Sequence, residues 1–218
     1  ISPTSLKKIW EEELEKRHAR TDMYQCLRNA AVQFRHKENG ETYLLAGYPW
    51  FNVRARDEFI AMVGCTLGIG DKEAFETLAK SVIKEFSNFV ETGKTNVIKE
   101  LDSPDALLWF VWALQQYYYT VDPMQMQKDL LMSAVDIVDY IMQGKHPNLK
   151  LEENGLVRID GTSVPMTWMN ATEDGKPITP RTGYVVEINA LWYNALRFAA
   201  MLAESLAWEE MAAKTAGS

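Results

Sequence analysis

Apolar residues recur at helical spacing along most of the chain, and this periodicity limits the fold more than any other feature. Seven stripes with no alternating pattern of any length predict an all-α protein, and only GLVRID at 155–160 indicates a short strand. The residues predicted to face inward are Leu6, Ile9, Trp10 and Leu14; Met23, Cys26, Leu27, Ala30 and Phe34; Phe59, Ile60, Val63 and Leu67; Phe75, Leu78, Val82, Phe86 and Phe89; Leu131, Ala134, Val138 and Ile141; and Ile188, Leu191, Trp192, Ala195, Leu196 and Leu202.

The connections between these helices are of two kinds. Gly68–Asp71 and Thr120–Pro123 are short, whereas residues 38–55, 91–102 and 143–184 are long and rich in Gly, Pro and Trp. Long connections inside a compact domain are usually functional. If the helical hairpins stack side by side, the three long connections emerge at one end, where we expect a site.

Charge and motifs exclude several classes of partner. The formal charge of −7 and the pI near 5.1 argue against nucleic acid or an anionic membrane surface. No apolar run approaches the length of a membrane span, and the N-terminus has no apolar signal core. The chain begins without Met, and we expect that it was cut from a longer protein.

The cysteines and histidines predict neither a metal nor a disulfide. Cys26 and Cys65 stand alone on separate helices and are interpreted as small buried residues of a cytoplasmic protein. His18, His36 and His146 lie near polar segment ends and are not grouped with acids or thiols at ligand spacing. We therefore expect no metal and no cofactor.

The segment AGYPWFNVRARDEFI places two arginines and an acid beside three aromatic side chains. One interpretation is a helix start with a favourable N-terminal acid and solvated arginines. The other is a polyol clamp, in which Arg and Asp supply donors and acceptors to adjacent hydroxyls and Trp50 stacks on a sugar ring. The neighbouring aromatics favour the clamp.

Two later segments carry similar alternatives. In DSPDALLWF, Ser103 as N-cap, Pro104 at the first helical position and Asp105 in the first turn account for the polar residues by capping alone. The aromatic helix that follows is predicted to be enclosed on most sides. In residues 164–196, Glu187 could simply complement a helix dipole, or serve glycoside chemistry beside an Arg in a cleft.

Taken together, AGYPWFNVRARDEFI, SPDALLWFVWAL, TWMNA and TPRTGYVVEINALWYNAL resemble the amylo-α-1,6-glucosidase domain of glycogen debranching enzymes, particularly the prokaryotic type. The family forms are close to GYPWFxxWGRDTFI, ADASLWF, TWMDA and TPRxGxAVEVNALWYNAL. Four motifs in the same order over about residues 44–200 make the match specific. The resemblance implies an (α/α)6 toroid, of which residues 1–218 would form roughly the N-terminal half.

The resemblance also implies a function and a site. The family hydrolyses the α-1,6-linked branch-point glucose of glycogen with inversion, which needs a general acid and a general base about 6.5–9.5 Å apart. Arg56 and Asp57 would hold hydroxyls of the terminal glucose. The remaining implied residues are Trp50 and Trp168 in the pocket wall, and Asp105, Arg181 and Glu187 in its floor.

Three departures from the family pattern bear on activity. Arg54 and Ala55 stand where the family has Trp and Gly, and Asn170 stands where TWMDA carries the implied general-acid Asp. The implied general base is expected in later helices, beyond residue 218. Glu173 or Asp174 could replace the acid, although a flexible acid beside Gly is a poor substitute.

Three hypotheses follow. The first is a debranching-enzyme fragment that is inactive in isolation, and the second is a non-catalytic α-glucan-binding domain that has lost its acid. The third is another toroidal glucosidase, related to trehalase or glucoamylase. A half-toroid also predicts exposed apolar surface, or a dimer, along Leu107–Tyr119 or Ile188–Leu202.

Overall fold

The computed structural model describes residues 2–15 and 17–216, with side chains up to residue 205. Within these ranges the predicted seven α-helices are present. They are α1 (Pro3–Glu15), α2 (Met23–Gln33), α3 (Ala55–Cys65), α4 (Lys72–Thr92), α5 (Ala106–Thr120), α6 (Lys128–Met142) and α7 (Val186–Ala216).

The aromatic helix α5 lies at the centre of the fold and packs against α3, α6 and α7. Phe110 meets Phe59 of α3 with ring centroids 5.2 Å apart, and Tyr117 stacks on Phe75 of α4 at 5.0 Å. The predicted enclosure of this helix is therefore confirmed. The prediction of exposed apolar surface along Leu107–Tyr119 is wrong except at Tyr119, because the neighbouring helices cover the rest.

The stripes of α4, α6 and α7 face the core as predicted. Asp71 begins α4 by accepting a hydrogen bond from the Ala74 amide at 3.0 Å, and Gly93 ends it at φ +72°. Along α7, Ile188, Trp192 and Leu202 are buried, so this stripe too is covered rather than exposed. The opposite face of α7 carries the exposed Tyr193.

The stripes predicted for the first two helices do not face a core, except at Phe34, which is partly buried against it. No residue of α1 is buried, and Asn29 is the buried residue of α2. Met23 and Leu27 are exposed, and so is Cys26, so the prediction of a buried thiol there is wrong. Cys65 is half-buried. Helical spacing gives an apolar face, but a neighbouring element is needed to cover it.

The predicted helix-rich fold is confirmed, but short antiparallel strands that the sequence analysis did not predict, apart from the one at 155–160, occur in the long connections. They are β1 (Arg35–Glu38), β2 (Glu41–Leu44), β3 (Lys150–Leu151), β4 (Val157–Asp160), β5 (Thr172–Glu173), β6 (Lys176–Pro177) and β7 (Thr182–Gly183). The strand indicated by GLVRID is β4. The β1–β2 hairpin turns at Asn39-Gly40, both with positive φ, which is the sequence signal for a two-residue hairpin.

A three-stranded sheet of order β3-β4-β7 is fastened to the start of α7. The Asn189 side chain donates to the Val157 carbonyl and accepts from the Val157 amide, both at 2.9 Å. Trp192 Nε1 donates to the Gly155 carbonyl at 3.1 Å. These bonds fix the third long connection relative to the helices.

No helix in the described ranges is both long and apolar enough to cross a membrane.

Candidate functional site

The Arg56 guanidinium and the Asp105 carboxylate form a two-pronged ion pair between the starts of α3 and α5. Arg56 Nε donates to Asp105 Oδ2, and Nη2 donates to Oδ1, each at 2.7 Å. Their side chains are 11% and 4% exposed, so the pair is largely shielded from water. Burial opposes the charge of Arg56, but the hydrogen bonds that it donates to Asp105 prevail and raise its pKa.

Asp105 therefore has a different role from the predicted capping. It occupies the N-cap position of α5 but makes no side-chain bond to the helix amides. The prediction of Ser103 as N-cap is wrong by two residues. Because Asp105 is turned toward Arg56, its carboxylate fixes the guanidinium instead of the helix end.

Backbone bonds bring the first two long connections together beneath this pair. The Ala55 amide donates to the Lys99 carbonyl at 3.0 Å, and the Lys99 amide donates to the Val53 carbonyl at 3.1 Å. Asn148 of the third connection donates to the Asp102 carbonyl at 2.9 Å and to its carboxylate at 3.2 Å. All three long connections therefore meet at one place.

Their meeting point is a cavity of about 470 Å³, which we call the Arg56 cavity. The third connection contributes the segment 164–167, Asn148 and Asn170 to its lining. The remaining lining residues come from the ends of the first two connections and the residues directly after them, and are Arg54, Arg56, Glu100, Asp102 and Ser103.

Arg54 and Glu100 form a second ion pair at the edge of this cavity. The Arg54 Nη1 and Glu100 Oε1 atoms are 3.2 Å apart, and both side chains are about one-third exposed (33% and 39%). Glu100 has φ +61°, a strained backbone for a residue with a side chain. The Arg that replaces the family's Trp therefore lines the Arg56 cavity together with a carboxylate.

Sequence reasoning did not single out Glu100, Asp102 or Asn148. The clustered acids of KELDSPD were the available signal for the first two. Asn148 carried no signal, because only the folded connection places it against Asp102.

Arg181, Glu187 and Trp168 form a separate cluster at the start of α7. Arg181 donates to both carboxylate oxygens of Glu187, with Nη2 2.9 Å from Oε2, and Trp168 Nε1 donates to Oε1 at 3.3 Å. Burial raises the pKa of Glu187, but the hydrogen bonds from Arg181 prevail and hold it below its usual value. None of the three is among the residues lining the Arg56 cavity.

The structure separates the other predicted site residues. Asn170 lines the Arg56 cavity, whereas Trp50 is 82% exposed and does not line it. Asp57 lies exposed in the first turn of α3 and contributes to the raised pKa of Arg56. Glu173 and Asp174 lie exposed at the β5–β6 hairpin and do not line the cavity.

In the described residues, no group of three or more His, Cys, Asp or Glu side chains is placed to hold a metal ion. His36 Nε2 lies 3.4 Å from Glu38 Oε2 in the β1–β2 hairpin. His146 is buried in the connection that follows α6.

The fold is a helical scaffold whose long connections border a cavity lined by Arg and carboxylate side chains. The chain belongs to the amylo-α-1,6-glucosidase family, whose model matches residues 27–216. It is thus a glycogen-debranching type of glycoside hydrolase domain. Searches of curated proteins and of solved structures found no match.

Proposed function

We propose that this chain recognises the α-1,6-linked glucose at branch points of glycogen or a similar α-glucan, and that the isolated chain does not hydrolyse it. The observation that carries the proposal is that Arg56 and Asn170 line the same cavity. The arginine of the implied hydroxyl clamp and the position at which the family pattern has its general acid thus border one cavity.

The Arg56 guanidinium still has N–H groups that can donate hydrogen bonds to a ligand. Asp105 engages two of the five N–H groups of Arg56, which leaves three for ligand oxygens in a fixed plane. Glu100 and Asp102 supply acceptors nearby, and Asn148 and Asn170 supply both donors and acceptors. Adjacent sugar hydroxyls, which donate and accept, match this set.

Asn170 supports the absence of turnover. A carboxamide has no acidic proton to deliver to a departing sugar oxygen, and positioned acid catalysis is typically worth about 10²- to 10⁴-fold. Neither Glu173 nor Asp174 lines the cavity, so the described arrangement gives no replacement from that hairpin.

Glu100 and Asp102 are the remaining carboxylates that line the cavity. Glu100 pairs with Arg54, and Asp102 accepts a hydrogen bond from Asn148. Both carboxylates therefore already serve as acceptors for neighbouring side chains in the wall of the cavity.

We further propose that the seven helices form about the first half of an (α/α)6 toroid in a cytoplasmic debranching enzyme. The alternation of short and long connections supports this, since the long ones meet at one cavity. In that arrangement the general base would come from a later helix, and hydrolysis would proceed with inversion. A dimer would be another way to complete the ring of helices.

A non-catalytic α-glucan-binding domain is the second candidate. Asn170 favours it, because Arg56 is held in the cavity wall by its pair with Asp105 while the implied acid position holds an amide.

The test of turnover is glucose release from a phosphorylase-limit dextrin by the natural full-length protein and its Asn170→Asp variant, with Asn170→Gln as the matched control. Turnover confined to the Asp variant would identify the natural protein as a binder that lacks its proton donor. Turnover in the natural protein that persists in Asn170→Gln would refute the acid assignment, and Glu100→Gln would then test the nearest alternative.

The test of recognition uses the chain itself. Titration with isomaltose, two glucose units joined by an α-1,6 bond, should show binding that Arg56→Lys weakens about tenfold, the loss of one charged hydrogen bond. Arg197→Lys, on the exposed face of α7, is the control. Binding equal in all three proteins would refute the clamp, and equal binding of α-1,4 and α,α-1,1 disaccharides would favour another glucosidase class.

A further inference from the structure

The first helix, α1, has an apolar face that is at least half exposed, and we propose that this face binds the same face of a second copy of the chain in antiparallel orientation. Its residues, which we call the α1 face, recur at helical spacing and are Leu6, Ile9, Trp10 and Leu14. They are between 50% and 64% exposed, and no residue of α1 is buried.

The α1 face lies apart from the candidate glucan site. It precedes residues 27–216, which the family model matches, and none of its residues lines the Arg56 cavity. A tryptophan and three aliphatic side chains on one helix form the kind of exposed apolar patch that marks a protein interface. A helix of 13 residues is also marginally stable in water on its own, so α1 gains stability once its face is covered.

The charges of α1 oppose its own dipole. Its first turn has no acid and its last turn has no base. Glu12, Glu13 and Glu15 instead lie at the C-terminal end, where the partial charge of a helix is already negative. Lys7 Nζ and Glu11 Oε1 lie 3.8 Å apart, but both side chains are more than half exposed, and lysine before glutamate is the less favourable order. The isolated helix therefore gains little from its charges.

An antiparallel second copy removes this conflict. Each negative C-terminal end then lies beside the positive N-terminal end of the other helix, so the two dipoles attract each other. With the two-fold axis at Trp10, the middle of the α1 face, Leu6 of one copy lies opposite Leu14 of the other. The two tryptophans meet at the axis, and the apolar side chains of both faces are covered.

The side chains that flank the α1 face also match in this orientation. The same axis brings Lys7 of one copy beside Glu11 and Glu13 of the other, because residues 7 and 13 are equally far from residue 10. This contact occurs twice in the dimer. A parallel pair would instead place the acidic ends of both helices together, where like charges repel. The charges therefore select a second, antiparallel copy as the occupant.

An anionic lipid surface is a poorer fit for α1. Amphipathic helices that bind such surfaces carry lysine and arginine on their polar face. The charged residues of α1 are two lysines and four glutamates, so the helix has a net negative charge and an anionic surface repels it.

Sedimentation equilibrium of the 218-residue chain tests the association. A pair of short helices buries less than the roughly 1,600 Å² of a standard interface, so we expect a weak dimer that dissociates on dilution. Trp10→Ala should weaken the dimer at least about tenfold, because a tryptophan at the centre of an interface is a typical hot spot. Trp50→Ala makes the same replacement at an 82% exposed position and should leave the dimer unchanged.

The charge contacts are tested at an ionic strength low enough to limit screening. Lys7→Glu should weaken the dimer about fivefold, because the change occurs twice in the dimer. Adding Glu11→Lys and Glu13→Lys to that variant brings opposite charges together again and should restore the dimer. Lys8→Glu is the matched control, since at about 100° per residue Lys8 points away from the α1 face.

Disulfide trapping reports the orientation of the two helices. In a Cys26→Ser background, which removes the exposed native thiol, Leu6→Cys chains and Leu14→Cys chains are oxidised separately and as a mixture. An antiparallel pair joins residue 6 to residue 14, so the linked dimer should form from the mixture. Two copies of residue 6 are then about 12 Å apart along the helix axis, too far for a disulfide. Linkage of each variant to itself would show a parallel pair and contradict the proposal.

Three further results would overturn the proposal. The first is a chain that stays monomeric up to about 1 mM, and the second is a dimer that Trp10→Ala leaves intact. The third is a loss in Lys7→Glu that the added lysines do not restore, since the occupant would then not be a copy of the same helix. Circular dichroism of each variant checks that the other helices remain folded, which we expect because α1 contributes no residue to the core.

Discussion

Arg56 and Asp105 are 49 residues apart in the chain, yet two hydrogen bonds of 2.7 Å join their side chains in a largely buried pair. The pair connects the first turn of α3 with the start of α5, the central helix. It therefore holds the start of α3 against the start of α5, and it orients the guanidinium in the wall of the Arg56 cavity.

Asp105→Asn should destabilise the fold by about 3–5 kcal/mol, because it leaves the Arg56 charge buried without its partner. Urea unfolding of the two proteins measures the difference. Asp136→Asn, at an exposed position in α6, removes the same charge and should change the free energy of unfolding by no more than about 0.5 kcal/mol. Equal small effects would show that solvent screens the Arg56–Asp105 pair.

Glu58→Gln should stabilise the chain at pH 8. Glu58 is 1% exposed, and burial raises its pKa to about 8 from the ordinary value of 4.5. Its contribution to stability is complete below pH 4.5 and falls as pH rises to 8, by roughly 1.4 kcal/mol per pH unit. Gln keeps an oxygen for the Leu44 amide, which donates to Glu58 Oε1 at 2.9 Å.

The measurement for Glu58 is the free energy of unfolding at several pH values between 4.5 and 8. The difference between Glu58→Gln and the natural chain should widen with pH. Glu73→Gln, at an exposed position in α4, should give a difference that does not change in this way. A constant difference for Glu58→Gln would mean that its carboxyl is not desolvated.

His146→Asn should remove part of the acid sensitivity of the fold. Burial lowers the pKa of His146 to about 4 from the ordinary 6.5. Its contribution is therefore complete above pH 6.5 and is lost as pH falls to 4, since the unfolded chain takes up the proton first. Asn offers an oxygen near the position of Nδ1, so the bond from the Asn148 amide can remain.

Acid unfolding followed by circular dichroism measures this effect. His146→Asn should unfold at a lower pH than the natural chain, whereas His36→Asn, at a partly exposed position, should not. Identical acid midpoints would contradict the buried, neutral imidazole.

Gly161→Ala should disrupt the segment that carries Arg181. A Cβ atom at residue 161 would lie 2.3 Å from the Arg181 carbonyl oxygen, so the backbone would have to move. We expect a loss of about 2 kcal/mol or more in unfolding free energy. Gly64→Ala, which has open space around it within α3, should instead stabilise by up to about 1 kcal/mol.

A double-mutant cycle tests the link from Gly161 to the Arg181–Glu187 pair. Glu187→Gln should cost less in the Gly161→Ala background, because the displaced Arg181 no longer meets the carboxylate. Additive effects would show that the backbone around Gly161 accommodates the new methyl group without displacing Arg181.

The sequence determined the helical elements wherever a whole stripe is apolar. The α4 stripe from Phe75 to Phe89 and the α6 stripe from Leu131 to Ile141 face the core as predicted, because neighbouring elements cover them. Four ordered motifs also determined the family, which the match over residues 27–216 confirms. The Asn39-Gly40 turn was readable too, and without it the β1–β2 hairpin was not predicted.

Only the tertiary structure decided which polar side chains meet. Asp105 could cap α5 or pair with Arg56, and the packing of α3 against α5 selects the pair. Trp168, Arg181 and Glu187 cluster apart from the Arg56 cavity, whereas Glu100 and Asn148 enter it. The physical reason is that local spacing sets the face of a helix, while contacts between distant loops depend on how the helices pack.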